Sequence, residues 1–406
     1  MANAASGTTD QALPLAGLRV LDLTQIYNGP YATFLMAMAG AEVIKVEPPG
    51  GEFLRRRDAR SGAGVPFAML NANKRSVSLN LKSPRGRDML LDLVRQADVL
   101  AENFAPGVMD RLGLGYDALR AVNPRIIYAA SSGYGDAGPY RDYPAMDLTV
   151  QAMSGVMSIT GFSHNAPVKS GAALCDFFGG VHLYGAITTA LFGRERSGKG
   201  CRIEVAMLEA VYPSLASSIG MTYGERGDIP LRTGNRHGGL SLCPYNVYPA
   251  SDGFVAIICN NDKHWLCLVD AMERPDLKAD PRMATMRDRV AHMELIDGII
   301  SEWTLPQSRD DLFGRLAAFR VPSAPVRDLP EVIADPHMHE RGMLLEVDHP
   351  QYGPITVCRS PINYSGVAQP DYRVSPAYAA DNEAVYGGML GIAAADLAAL
   401  RAEGVV

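Results

Sequence analysis

The feature that most constrains the fold of this sequence is an alternation of short apolar strand patterns with helical patterns in its first third. Leu18–Leu23 and Glu42–Val46 flank the helical pattern Pro30–Ala39 and so predict one βαβ unit. Parallel strands need a long crossover, usually a helix, so this order predicts an α/β fold with a doubly wound, mostly parallel, Rossmann-like sheet. Three further strands are predicted, at Val77–Leu81, Val99–Glu102 and Arg125–Ala130.

The loop after the first strand, Thr24–Pro30, contains one glycine and no GxGxxG pattern, so it does not predict a nicotinamide or flavin site. In an open parallel sheet, ligands bind outside the carboxyl ends of the strands, where the strand order reverses. We therefore expect a ligand near Tyr27 and Asn28.

A chain of 406 residues is long for one core and predicts two domains. The boundaries are taken from Gly- and Pro-rich stretches and from changes of pattern. They predict a flexible tail (1–14), a large α/β domain (15–224), a linker (225–232), a smaller α+β domain (233–322), and a linker with a return to the large domain (323–406).

Composition excludes several partners. The net charge of −6 argues against nucleic acid, and the sequence has no apolar run near the roughly 20 residues that span a bilayer. The six cysteines form no CxxC pair, which is typical of a reducing compartment. The first twelve residues lack the features of a signal peptide. These observations predict a cytoplasmic protein without a membrane partner.

Asp176 is the leading candidate for a reactive residue. It follows the small residues Gly171–Cys175 and opens a long helical pattern, so its simplest role is to cap the helix as its N-cap residue. Gly179 and Gly180 lie in the first turn, where each costs about 1 kcal/mol relative to alanine, and this suggests that something approaches the backbone closely. The helix dipole is expected to keep the carboxylate ionised, as a nucleophile requires.

The segment Gly171–Gly180, GAALCDFFGG, resembles the catalytic segment of the family III CoA-transferases. That family includes formyl-CoA and carnitine CoA-transferases and, as relatives with different chemistry, the α-methylacyl-CoA racemases. The likeness extends from Leu15 to Val406. It implies an acyl-CoA:carboxylate CoA-transferase with Asp176 as nucleophile, CoA or acyl-CoA as substrate with no permanently bound cofactor, and an interlocked homodimer.

The resemblance also implies a CoA site. In formyl-CoA transferases the CoA contacts fall on segments that match Tyr27 and Asn28; Leu79, Asn80, Leu81 and Lys82; Asn103 and Phe104; and Arg111. Lys74 and Arg75 are further basic residues that could meet a phosphate, although such residues are usually just solvated. The sequence departs from the formyl-CoA pattern in two places, with Tyr27 in place of Gln and Pro48 in place of Arg.

Met146 and Asp147 distinguish the two chemistries of the family. The racemase relatives have a His where this sequence has Met146, and methionine cannot transfer a proton, so racemisation by that route is disfavoured. Asp147 matches a Glu of the formyl-CoA enzyme and is expected to support the site. An N-cap role in a helix over Leu148–Met157 is an equally good interpretation of Asp147.

Gly234–Gly239 lies where the transferases have a mobile glycine loop over the active carboxylate. Gly238 and Gly239 are expected to exclude water from the site, while Arg236 and His237 suggest binding of an acceptor carboxylate and hence a dicarboxylic acid. A plain linker is the alternative. His337, His339 and His349 have no partner at a recognised metal spacing, so no metal is predicted.

We expect CoA transfer from an acyl-CoA donor, with succinyl-CoA preferred, to a carboxylic acid. One alternative is an α-methylacyl-CoA racemase that uses Asp176 as a general acid and base, and exchange of the α-proton with deuterated solvent would reveal it. A second alternative is a non-catalytic CoA-binding protein, which would bind CoA without forming a covalent adduct.

Overall fold

The computed structural model of the chain describes residues 11–57, 62, 64–224 and 230–406. They divide into a larger unit (residues up to 150, 172–211 and 335–406) and a smaller unit (151–171 and 212–334). These bounds differ from the predicted domains, because 151–171, 212–224 and 323–334 group with the smaller unit. Pairing of Ser323–Pro325 with a strand of the smaller unit accounts for the last of these. Most of the predicted tail and of the first linker lies outside the described residues.

The larger unit contains a six-stranded sheet in which every neighbouring pair is parallel. Its strand order, β3-β2-β1-β4-β5-β6, reverses direction between β1 and β4 and confirms the predicted doubly wound α/β fold. The strands are β1 (Arg19–Asp22), β2 (Glu42–Glu47), β3 (Arg75–Ser78), β4 (Val99–Glu102), β5 (Ile127–Ser132) and β6 (Arg202–Ala206).

Alternate residues of these strands fill two separate cores, one on each face of the sheet. Leu21 and Ile44 belong to one core, whereas their neighbours Val20 and Val43 belong to the other. This alternation follows from the two-residue period of a strand. The helices of this unit are α1 (Asn28–Met38), α2 (Val65–Leu70), α3 (Pro84–Val94), α4 (Val108–Arg111), α5 (Tyr116–Val122), α8 (Leu174–Ser197) and α9 (Met207–Val211). In the chain between α5 and α8, α6 (Asp147–Ser154) contains the boundary of the two units and α7 (Val156–Ile159) belongs to the smaller one. Helices pack on both faces, α3 and α5 in one core and α1 and α8 in the other.

Two predicted helices are interrupted. The pattern Met207–Tyr223 forms α9, a 3₁₀ turn at Tyr212–Leu215 and α10 (Ala216–Tyr223). Pro213 lies at the interruption, where it lacks an N–H to continue the helical ladder. The pattern Leu148–Met157 is divided into α6 and α7 at Gly155, which has a left-handed φ of +95°.

The smaller unit has its own core of buried apolar residues, among them Tyr248, Trp265 and Ile300. An antiparallel sheet of β7 (Tyr245–Ala250), β8 (Gly253–Ile258) and β9 (Ser323–Pro325) forms one side of it. The remaining helices of this unit are α11 (Asp262–Ala271), α12 (Asp276–Ala279), α13 (Met286–Ala291), α14 (Met293–Thr304), α15 (Arg309–Ala318) and α16 (Leu329–Ile333), with a 3₁₀ turn at Pro281–Met283.

The final segment of the chain belongs to the larger unit. Leu400 and Val405 are buried in one of the two cores that flank the large sheet. None of the described helices is both long enough and apolar enough to cross a membrane. The elements of this segment are α17 (Pro336–Glu340), the hairpin β10 (Leu344–His349) and β11 (Gly353–Cys358), a π-helical turn (Glu383–Gly387), α18 (Gly388–Leu390) and α19 (Ala394–Ala402).

Candidate active site

A cavity of about 490 Å³ opens at the carboxyl end of the large sheet. The loops after β1, β4 and β5 line it, so it lies beside the reversal of strand order between β1 and β4. This is the position that the sheet topology predicts for a ligand. The cavity brings together five residues that the sequence proposed for the site: Asn28, Asn103, Phe104, Arg111 and Asp176.

The loop after β1 is held in a strained form. Ile26 has φ +66°, in the left-handed region that a β-branched residue rarely adopts. Its N–H donates to the buried carboxylate of Glu52 (3.2 Å). Next to it, the side-chain amide of Asn103 both accepts from the N–H of Gln25 (2.8 Å) and donates to the Gln25 carbonyl (2.9 Å). The loops after β1 and β4 are thereby fixed to each other at the cavity.

Asp176 is the third residue of α8, not its N-cap. The N-cap position is Ala173, which has no side chain able to cap. Asp147 supplies the missing acceptor, because its Oδ1 accepts from the N–H groups of Cys175 (2.8 Å) and Asp176 (3.2 Å). Asp147 thus supports the helix that carries Asp176, in addition to being the first residue of α6.

The pKa of Asp176 is raised from 3.8 to about 7, first by burial and second by the negative charge of Asp147. The prediction that the helix dipole keeps this carboxylate ionised is therefore corrected, because burial and the charge of Asp147 outweigh the dipole and favour the protonated form. A helix dipole contributes about 0.3–1 kcal/mol to a charge at its end. Since one pKa unit corresponds to about 1.4 kcal/mol, the dipole offsets less than one unit of such a rise.

Gly179 and Gly180 allow α1 to approach α8. A Cβ on Gly179 would lie 2.1 Å from Nδ2 of Asn28, and a Cβ on Gly180 would lie 2.5 Å from the Asn28 carbonyl oxygen. The expectation of a close approach to the helix backbone at these glycines is correct, and the element that approaches is α1. Tyr31 of α1 also packs edge-on against Phe177, with ring centroids 5.0 Å apart.

Two guanidinium groups converge at another part of the cavity. A Cβ on Gly107, which has φ +78°, would lie 3.1 Å from Arg111 Nη1 and 3.4 Å from Arg141 Nη2. Arg141, Tyr134 and Tyr143 also line the cavity, and the sequence reasoning did not propose them. The signal that could have found them is the group of three tyrosines with one arginine in the segment 134–143.

Other predicted contacts lie elsewhere. Among the described residues that line the cavity, Tyr27 and Leu79–Lys82 do not appear. The Tyr27 ring stacks on Phe177 at 6.1 Å, Leu79 and Leu81 pack in the core, Asn80 donates to the Gly404 carbonyl, and Lys82 is exposed.

Lys74 and Arg75 are committed to carboxylates of the protein. Lys74 is buried and donates to Asp22 at 2.8 Å, and Arg75 forms ion pairs with Glu42 and Asp381. Burial lowers the pKa of Lys74 to about 8 despite the charge of Asp22. These two residues therefore stabilise the fold and are not available to a phosphate.

In the smaller unit, Arg236 donates to both oxygens of Glu294 (2.6 and 2.9 Å) and to Asp297. This geometry corrects the suggestion that Arg236 binds an acceptor carboxylate, because two protein carboxylates already occupy its guanidinium. His237 Nδ1 accepts from the N–H of Gly239 (3.2 Å) and lies 3.1 Å from the Ser241 hydroxyl, so the loop 237–241 is internally bonded.

Burial raises the pKa of the Cys175 thiol to about 12, so this cysteine is not a nucleophile at neutral pH. Within the described residues, no group of three or more His, Cys, Asp or Glu side chains could hold a metal ion. Asp176, the predicted reactive residue, lines the cavity.

Fold and site together define an α/β enzyme with a partly buried carboxylate at the switch point of its sheet. The chain belongs to CoA-transferase family III, whose family model matches residues 15–382. It is an enzyme that moves CoA from an acyl-CoA to a carboxylic acid, as predicted.

The chain is 39% identical to an acetyl-CoA:oxalate CoA-transferase of Acetobacter aceti, over 89% of this chain and 91% of that protein. It is 40% identical to a succinyl-CoA:mesaconate CoA-transferase of Haloarcula marismortui, over 86% and 89% of the two chains. The crystal structure of a CaiB/BaiF family protein from Brucella suis superposes with a TM-score of 0.83, at 33% identity, over 93% of this chain and all of that one.

Proposed function

We propose that this enzyme transfers CoA from succinyl-CoA to a dicarboxylic acid through a covalent intermediate on Asp176. The observation that carries the proposal is the cavity itself, whose lining includes both the Asp176 carboxylate, with its raised pKa, and the guanidinium groups of Arg111 and Arg141. Arg111 and Arg141 suit the phosphates of CoA, because a guanidinium can bind phosphate oxygens in a fork.

The reaction begins when a carboxylate oxygen of Asp176 bonds to the thioester carbon of the donor. The C–S bond breaks and CoA leaves as a thiolate, so that Asp176 and the donor acid form a mixed anhydride. The thiolate then bonds to the aspartyl carbonyl carbon, and the donor acid leaves as a carboxylate. Asp176 now carries CoA as a thioester, and the acceptor acid reverses the two steps.

The dicarboxylic acceptor is supported by the two relatives, since both oxalate and mesaconate carry two carboxylates. Succinyl-CoA is the donor in the name of one of them. Racemisation is disfavoured because Met146 lines the cavity with Asp176 and has no proton to exchange.

The test is to replace Asp176 with alanine and to use Asp117→Ala as the matched control, since Asp117 is an exposed carboxylate of the same unit. Asp176→Ala is expected to abolish CoA transfer, while isothermal titration calorimetry still detects binding of CoA. The control is expected to keep full activity. Mass spectrometry after mixing with succinyl-CoA is expected to find CoA on the peptide that contains Asp176. Transfer by Asp176→Ala would disprove the covalent role.

The proposal includes a homodimer in the cytoplasm. Helix α8 exposes the apolar side chains of Phe178, Val181 and Phe192, with exposed fractions of 36–62%. Several exposed apolar side chains on one helix are typical of an interface. Light scattering coupled to gel filtration measures the mass in solution, and a monomer would contradict the dimer.

The cytoplasmic location is supported by the six cysteines, which are unpaired, because unpaired cysteines suit a reducing compartment.

A further inference from the structure

The side chain of Asn28 is buried without a hydrogen-bond partner. It is 3% exposed, and neither its Nδ2 nor its Oδ1 is paired within the described part of the chain. A buried amide without partners is unfavourable, because it gives up its hydrogen bonds to water and gains none in the protein. Buried polar groups in native proteins are nearly always paired, so this one requires an explanation, and a ligand that completes its hydrogen bonds is one.

The amide lies about one helical turn from Asp176. Its Nδ2 is 2.1 Å from the position that a Cβ on Gly179 would take. Gly179 follows Asp176 by three residues, and residues with this spacing are neighbours on one face of a helix. Asn28 and Asp176 also line the same cavity. Any acyl group bonded to Asp176 is therefore formed close to this amide.

Helix α1 adds a favourable field at the same place. It has eleven residues, begins at Asn28, and has neither an acidic residue in its first turn nor a side chain that caps it. The amino end of a helix carries a partial positive charge and free N–H groups, which attract negative charge. Tyr27 and Tyr31 pack against Phe177 and hold the starts of α1 and α8 together.

We propose that Asn28 is a catalytic residue that donates a hydrogen bond from Nδ2 to the acyl oxygen during transfer; this inference rests on the proposed function. At each step a nucleophile bonds to a carbonyl carbon, and the π electrons of the C=O bond move to oxygen. When the leaving group departs with its electron pair, the C=O bond forms again. A fixed donor stabilises the oxygen only while it carries negative charge, so it accelerates the reaction.

The test compares kcat with KM in variants of Asn28. Asn28→Ala is expected to lower kcat by about 10²–10³-fold, which is typical for loss of one such donor. KM for acyl-CoA and the affinity for CoA are expected to change little. Asn28→Asp keeps the shape but loses the donor, and it is expected to lower kcat at least as much.

A double variant separates chemistry from packing. In Asn28→Ala with Gly179→Ala, the new methyl group at position 179 occupies the space that the amide leaves. Thermal stability is expected to recover while kcat stays low. Recovery of kcat in the double variant would mean that Asn28 acts only through packing and would overturn the inference. A raised KM with unchanged kcat in Asn28→Ala would also overturn it, because Asn28 would then only bind substrate.

The two proposals fail separately. If Asp176→Ala is inactive and the CoA adduct forms, but Asn28→Ala has normal kcat, only the role of Asn28 is wrong. If Asp176→Ala retains transfer, the proposed function fails whatever the Asn28 variants do.

Discussion

The raised pKa of Asp176 predicts how the rate of CoA transfer depends on pH. In the proposed mechanism the nucleophile is the ionised carboxylate, whose pKa is raised to about 7. The ionised fraction is then about one tenth at pH 6 and about nine tenths at pH 8, so kcat/KM for acyl-CoA should rise about tenfold over this range, since kcat/KM reports the ionisations of the free enzyme. An ordinary Asp with pKa near 4 would give no change.

Asp147→Asn is the perturbation that tests the cause. The amide keeps an oxygen that can accept from the N–H groups of Cys175 and Asp176, but it removes the negative charge. The midpoint of the pH profile should therefore move to lower pH, while burial, the larger cause, keeps it above the ordinary value of an Asp. Asp147→Ala removes the acceptor as well and should also lose about 0.5–2 kcal/mol of stability through loss of the cap.

The assay is the initial rate of CoA transfer at low acyl-CoA concentration from pH 5.5 to 8.5, with circular dichroism at each pH to confirm that the protein is folded. A profile that is flat from pH 6 to 8 would refute the reasoning about Asp176. A midpoint that is the same in the wild type and in Asp147→Asn would refute the contribution of Asp147.

Two predictions concern the scaffold. Asp22→Asn should lower the free energy of unfolding by about 3–5 kcal/mol, because it leaves the buried ammonium of Lys74 without its carboxylate. Urea unfolding measures this change. The control is Asp92→Asn, in an exposed ion pair with Arg95, which should change the free energy of unfolding by less than about 0.5 kcal/mol. Gly180→Ala should cost about 1–3 kcal/mol because its Cβ would lie 2.5 Å from a backbone oxygen, whereas Gly185→Ala in the same helix meets no atom within 4 Å and should gain about 0.5–1 kcal/mol. Equal effects of the two glycine substitutions would contradict the packing of α1 on α8.

The fold could be predicted because its signals are local. The strand patterns around Val20 and Val43, with a helical pattern between them, are found in the sequence, and a parallel sheet follows from their order. Helix boundaries are harder to predict where a single residue decides them. Pro213 divides one long apolar pattern into two helices, and Gly155 divides another.

Only part of the site could be predicted, because residues that are far apart in the sequence and meet in the fold leave no local pattern. Asp176 and the two glycines after it are visible in one segment, but nothing in that segment shows that Asp147 caps the helix or that Asn28 packs on Gly179. For the same reason, the sequence of the loop 234–239 suggests that Arg236 is free to bind a substrate carboxylate. Only the structure shows that Glu294 and Asp297 occupy Arg236.

In the proposed mechanism, the interactions that raise the pKa of Asp176 also favour its acylation. Burial and the charge of Asp147 destabilise the ionised carboxylate relative to an uncharged state of the same group. The protonated acid is one such uncharged state, and an anhydride or a CoA thioester on Asp176 is another. Each covalent intermediate therefore removes the same unfavourable charge that protonation removes. A single arrangement, in which Asp147 caps α8 beside a partly buried carboxylate, would thus hold the proposed nucleophile in position and lower the free energy of the proposed states that carry CoA.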